Sequence, residues 1–136
     1  MSTNNQSLKS KNKKFRKYHK NRVPALRGCP QKRGVCLNIF KEKPKKPNSA
    51  KRSITKVRLS TRKTIRVQIP GEKHKLMKFN RVLIRGGRTR DLPGVRYRII
   101  RGKYDSTPIL ERRKAISKYG LKSTLLIELL KRELSK

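Results

Sequence analysis

The chain has 136 residues, a one-domain length with room for tails, and carries 41 Lys and Arg against 7 Asp and Glu, a formal net charge of +34. A compact domain so charged repels itself unless a polyanion neutralises it, so nucleic acid is the expected partner, with counterion release adding to each phosphate contact. Basic residues spread from end to end argue against the single basic face of a membrane-surface helix, and no apolar run approaches a membrane span or a secretory signal core.

Leu, Ile, Val and Phe total 33 residues, about a quarter of the chain, so one small core between polyelectrolyte tails is expected. The first 41 residues contain no acid, and Ser7–Arg22 holds eight basic residues in sixteen positions. Leu8, Phe15 and Tyr18 are the only large apolar residues there, and the charge density argues against a stable helix in isolation. Residues 1–22 are therefore read as an extension that threads through RNA, with Lys13, Lys14, Arg16, Lys17, Lys20 and Arg22 on phosphates. The run is mostly lysine and lacks the arginine-bearing stripe of a transit peptide.

Cys29 and Cys36 have six residues between them, and His19 and His74 stand far apart. No pair has zinc-ligand spacing, so the expectation is two reduced thiols, no metal and no cofactor.

From residue 34 the apolar pattern takes a period of two. Val35, Leu37 and Ile39 form one apolar phase; Val57 and Leu59, Ile65 to Ile69, Val82 to Ile84, and Val95, Tyr97 and Ile99 supply the others. Five such runs, separated by turn chemistry at Pro44–Ser49, Pro70-Gly71, Gly86-Gly87 and Pro93-Gly94, predict five half-buried strands over residues 23–105. A single sheet of this size tends to close and hide its edges. The strand count fits a mainly β, five-stranded oligonucleotide-binding barrel, and an SH3-type barrel would also fit. Arg58, Arg66, Arg96 and Arg98 occupy the polar phase, which would set guanidinium forks on the barrel wall.

Residues 106–136 are read as a basic tail with a short helical extension. Leu110, Lys114 and Ser117 are spaced for one helix face, and Leu125, Leu126, Leu129, Leu130 and Leu134 form a clearer stripe, with Ser123 or Thr124 as its cap. Such a stripe needs a partner, either the barrel flank or a neighbouring protein.

Catalytic chemistry is not expected. Glu42, Glu72 and Asp91 are widely separated, and Gly120-Leu121-Lys122-Ser123 lacks the glycines a phosphate-binding loop requires. Arg85-Gly86-Gly87-Arg88 reads as a tight basic turn.

Cys29-Pro-Gln-Lys-Arg-Gly-Val-Cys36, Pro44-Lys-Lys-Pro-Asn-Ser-Ala50, Leu83-Ile-Arg-Gly-Gly-Arg88 with Arg90-Asp-Leu-Pro-Gly-Val-Arg-Tyr97, and Ser117-Lys-Tyr-Gly120 resemble the bacterial-type small-subunit ribosomal protein twelve family. The resemblance spans roughly residues 20–121. It implies an oligonucleotide-binding barrel with a threaded N-terminal extension, bound to small-subunit ribosomal RNA at the decoding centre. By the same resemblance Lys45, Lys46, Pro47, Asn48 and Ser49 lie beside the codon–anticodon helix in the A site. Arg90, Asp91, Leu92, Pro93 and Gly94 approach the same RNA, with Arg85, Arg88 and Arg96 beside them. His74 matches a residue facing incoming transfer RNA and elongation factors. The implied partners are ribosomal RNA, A-site transfer RNA and messenger RNA, elongation factors and neighbouring ribosomal proteins, with no membrane. The chain departs from the family at Arg90, where lysine is usual, and around Gly71–Phe79, which is more basic here.

Divergence, the extra C-terminal segment and the stretches Lys56–Ser60 and Ile69–Glu72 point to a mitochondrial ribosome, in the matrix, with synthesis inside the organelle. Bacterial cytoplasm and chloroplast stroma are the alternatives. A free barrel acting as an RNA chaperone or translation factor is the rival function.

Overall fold

The computed structural model describes residues 3–11 and 21–122. Lys13, Lys14, Arg16, Lys17 and Lys20 of the threading extension, and the leucine stripe from Leu125 to Leu134, lie outside them.

Contrary to the expectation for the N-terminal tail, Asn4–Lys11 forms an α-helix, α1. The cause is local: the Thr3 backbone N–H donates to Gln6 Oε1 at 3.0 Å, while the Gln6 N–H donates to Thr3 Oγ1 at 3.3 Å. This reciprocal capping box satisfies two of the amides that a helix start leaves orphaned. The helix still has no usable apolar face, and its Leu8 is exposed.

A 3-10 turn at Pro24–Leu26 leads into five strands: β1 (Gln31–Glu42), β2 (Arg52–Leu59), β3 (Thr64–Gln68), β4 (Arg81–Gly86) and β5 (Tyr97–Ile99). They close in the order β1-β2-β3-β5-β4, antiparallel except for the parallel pair β3–β5. This is the oligonucleotide-binding arrangement, and it decides between the two barrels the pattern allowed. Twelve residues long, β1 pairs with β2 along most of its length and with β4 through Gln31–Val35, so a single strand turns the corner that closes the barrel.

The corner also overturns the simple alternation in β1. The core takes Gly34 and Cys36, while Val35, Leu37 and Ile39 are only half-buried. A β-bulge between Cys36 and Asn38 shifts the register, and the phase read from a straight strand does not survive it. Gly34 is required there because a Cβ would lie 2.6 Å from Val57 Cγ1 and 2.9 Å from the Arg58 carbonyl. Burial pushes the Cys36 thiol pKa up, which keeps it protonated and inert; Cys29 is exposed and also free.

Val57, Leu59, Val67, Ile69, Val82, Ile84, Tyr97 and Ile99 fill the barrel, and Ala25 and Leu26 plug one end. The Ala25 N–H donates to Tyr97 Oη at 3.1 Å, giving the buried phenol a partner. A second, smaller cluster joins Ile54 to Leu92 and Val95, with Phe40 against it. Each such side chain contributes roughly 1.5–3 kcal/mol on burial.

The helix expected around Leu110–Ser117 is absent: only Ile116–Tyr119 forms a 3-10 turn. The backbone interrupts a helix here, since Ala115 and Gly120 take left-handed φ values of 54° and 76°. The segment instead folds back on the barrel. Its Leu121 is buried, and Gly120 packs so closely that a Cβ would meet the Arg101 carbonyl oxygen at 2.3 Å. That contact gives the Ser117–Gly120 signature a physical reason.

The fastening residue is Arg101, only 2% exposed. Its Nε donates to the Thr107 carbonyl at 2.7 Å, Nη1 to that of Pro70 at 3.0 Å, and Nη2 to that of Lys73 at 3.3 Å. One guanidinium thereby ties the barrel to two irregular segments that have no strand ladder of their own.

Candidate nucleic-acid interface

Two loops meet at one carboxylate. The β1–β2 connection, residues 43–51, closes a turn with the Asn48 N–H donating to the Lys45 carbonyl at 3.2 Å, across a cis Lys46–Pro47 bond. The β4–β5 connection, residues 87–96, is held by Gly87 N–H to the Arg96 carbonyl (3.0 Å) and Thr89 N–H to that of Val95 (3.1 Å). Thr89 Oγ1 and Gln68 Oε1, 2.6 Å apart, pin it to β3. Between the loops stands Asp91. Its carbonyl accepts from the Lys45 N–H at 2.9 Å, its Oδ1 from Asn48 Nδ2 at 2.7 Å, and its Oδ2 from Arg52 Nη2 at 2.5 Å.

This changes the part expected of two site residues. Leu92 was grouped with the RNA contacts, but it is 1% exposed and packs with Ile54 and Val95. Asp91 is half-buried, and both of its carboxylate oxygens are engaged within the chain. They hold the loops rather than offer surface. Lys45, Lys46, Pro47, Asn48, Ser49, Arg85, Arg88, Arg90, Pro93, Gly94 and Arg96 are all exposed, as is Arg22 at the start of the barrel. Gly94 takes φ +77°, which lets the chain turn back over Leu92.

The outward arginines divide. Arg58 and Arg96 are exposed, whereas Arg66 is ion-paired with Glu42 and lies 5.9 Å over the Phe40 ring. Arg98 is half-buried and donates to the Arg88 carbonyl at 3.3 Å. The expectation of four free forks is corrected here: Arg66 and Arg98 are tied down, because Glu42 and the Arg88 carbonyl stand within their reach. Arg52, which sequence reading did not single out, holds Asp91 from 39 residues away, and no local pattern announces it.

His74 is half-buried in a groove of about 1180 Å³ whose lining includes Lys41, Lys51, Lys73, Glu72, Glu111 and the clamp residue Arg52. Its Nδ1 has no hydrogen-bond partner among the described residues. Burial first, then the positive charges of Arg101 and Lys41, lower its pKa below the ordinary 6.5. The folded protein thus favours the neutral ring. The stability this contributes is complete above the ordinary value and is lost as pH falls through the lower folded one. An NMR titration of the free protein is expected to give His74 a midpoint below that of an exposed histidine; a midpoint at or above 6.5 would contradict this account.

Closed strand order, clamped basic loops and the overall charge define a basic barrel of the oligonucleotide-binding class. Residues 19–122 match the family described as Ribosomal protein S12/S23. A small ribosomal subunit protein uS12m of Bigelowiella natans is 54% identical over 122 residues, covering 90% of this chain and 95% of its own. Its counterpart of the same name in Acanthamoeba castellanii is 54% identical over 112 residues, covering 81% and 88%. The chain belongs to the ribosomal protein S12/S23 family, and is a structural protein of the small ribosomal subunit rather than an enzyme.

Proposed function

We propose that this protein binds small-subunit ribosomal RNA at the decoding centre and supports accurate selection of transfer RNA. The observation that carries this reading is the Asp91 clamp, which joins two exposed basic loops into one surface while its own carboxylate is taken up internally. Lys45, Arg88 and Arg90 bind backbone phosphates there, and Asn48 and Ser49 present short donor–acceptor groups to a shallow RNA minor groove, where shape and 2′-hydroxyls are read. A-site transfer RNA and messenger RNA are the ligands of this surface. His74 faces arriving transfer RNA and elongation factors, and neighbouring ribosomal proteins and ribosomal RNA take up the remaining charge. The names of the relatives support a mitochondrial ribosome, and the reading sets that ribosome in the matrix.

Lys45→Ala and Ser49→Ala test this. Losing one phosphate contact from a chain of charge +34 barely alters RNA retention, since the remaining contacts dominate the salt-dependent affinity. Decoding turns on small free-energy differences, in which about 1.4 kcal/mol is tenfold. Mutant subunits are expected to assemble normally and to misread at a changed rate. Unchanged misreading, or failed incorporation with normal accuracy in the surviving subunits, would leave these loops as scaffold only.

A further inference from the structure

A second surface lies at the opposite end of the β1–β2 hairpin. Register pairs Glu42 with Arg52 beside the Asp91 clamp and Gly34 with Leu59 at the far end. Some eight residues of strand, roughly 25 Å, separate the two places. At the far end is a groove of about 580 Å³, largely apolar inside, lined among others by Leu37, Phe79 and Tyr104 and by Arg33, Arg58, Arg62 and Arg81.

Phe79 and Tyr104 are 75% and 59% exposed, which is unusual for rings in a chain with so few aromatics. Both are held there by strained backbone. Arg62, Phe79 and Tyr104 have φ values of 62°, 66° and 51°, three of the six left-handed non-glycine residues described, and all three line this groove. The Phe79 N–H donates to the Cys36 carbonyl at 2.7 Å, and the Cys36 N–H to the Asn80 carbonyl at 2.9 Å, fixing that turn on β1. Asp105 then ties the two aromatic turns together: its Oδ2 accepts from the Arg81 N–H at 2.6 Å and from Asn80 Nδ2 at 3.2 Å. Those bonds lower the Asp105 pKa, the Arg81 amide contributing most, so the tie holds at neutral pH.

We propose that this groove takes an unpaired nucleobase of an RNA strand, stacked on Phe79 and Tyr104, with the neighbouring phosphates on Arg33, Arg58, Arg62 and Arg81. Among the described residues no carboxylate lines the groove, so the arginine rim is complementary to a polyanion. Exposed rings on a rigid floor provide the π faces that unpaired bases of any sequence can use, whereas a paired base inside a helix has no free face to offer. An apolar anchor from another protein would use the rings but leave four guanidinium groups without phosphate. The site goes beyond the decoding surface and shares no residue with it.

The test uses the full chain and a short single-stranded RNA carrying one central 2-aminopurine, with the same sequence as a duplex for comparison. At a salt concentration high enough to screen non-specific attraction, binding of the single strand is expected to quench the fluorescence. Phe79→Ala with Tyr104→Ala should weaken single-strand binding about tenfold and remove the quench, with duplex affinity changed less than about twofold. Phe79→Trp should retain both. Phe79→Leu keeps an apolar side chain without a ring face, so it should lose the quench even if the double variant does not fold. Equal binding and equal quenching in wild type and Phe79→Leu overturn the proposal. So does self-association of the wild-type chain in sedimentation that Phe79→Leu abolishes, since the groove would then be a protein contact. Either failure leaves the Lys45 and Ser49 experiments unaffected, because those residues lie on the other surface.

Discussion

Arg101→Met is expected to destabilise the free protein by about 3 kcal/mol, moving the urea midpoint down by on the order of 2 M. Removing the guanidinium relieves its own desolvation, which lowers the Arg101 pKa, and a well-packed apolar replacement for a buried charge can sometimes be neutral. Here the opposing effect wins. The Pro70, Lys73 and Thr107 carbonyls converge on this side chain, and each loses its donor at a cost of about 1–3 kcal/mol if it stays buried. Turning those carbonyls to water instead would release the two segments and expose Leu76 and Leu121, which are 7% and 2% exposed in the intact fold. Arg101→Lys should fall between the two, since an ammonium cannot match the spread of the guanidinium fork. A stability equal to wild type in Arg101→Met would show that the segments hold themselves.

Asp91→Ala is the second large effect, felt in the order of the loops more than in global stability. The Arg52–Asp91 pair is only part-buried, with side chains 37% and 24% exposed, so solvent screening limits its contribution to folding to about 1 kcal/mol. The loops depend on it differently. Without the carboxylate, Asn48 Nδ2 and Arg52 lose their shared anchor, and only the Lys45 N–H bond to the Asp91 carbonyl still joins residues 43–51 to 87–96. Amide exchange at Asn48 should accelerate about tenfold, the equivalent of about 1.4 kcal/mol of local opening, while Val57 in the barrel exchanges as before. Asp91→Asn keeps one acceptor for Asn48 and loses the ion pair, so its effect should be intermediate. Unchanged exchange at Asn48 in Asp91→Ala would mean that turn geometry alone shapes the loop. On the decoding reading, misreading by subunits carrying Asp91→Ala should change more than by those carrying Lys45→Ala, since the first disorders the whole surface and the second removes one contact.

What could be read from the chain alone depended on how local its physical cause was. Charge of +34 and a period-two pattern broken by Pro-Gly and Gly-Gly turns are properties of neighbouring residues, and they were enough for a basic, mainly β domain of five strands. The motifs around Pro44 and Arg90 were enough for the family. Even the unexpected helix α1 has a local cause, the Thr3-x-x-Gln6 capping box. The closing order with β3 parallel to β5 was a different kind of fact, since the same pattern also suited another barrel. Which phase of β1 faces inward turned on a bulge between Cys36 and Asn38, just past the residues that pair with both β2 and β4. Asp91 and Leu92, side by side among exposed loop residues, looked like surface until Asn48, Arg52 and Ile54 came round to meet them. Arg101 looked like one more cation among many until four carbonyls from elsewhere in the chain enclosed it. A carboxylate that binds a ligand and one that clamps a loop are identical in sequence; what separates them is which donors the closed barrel brings within 3 Å.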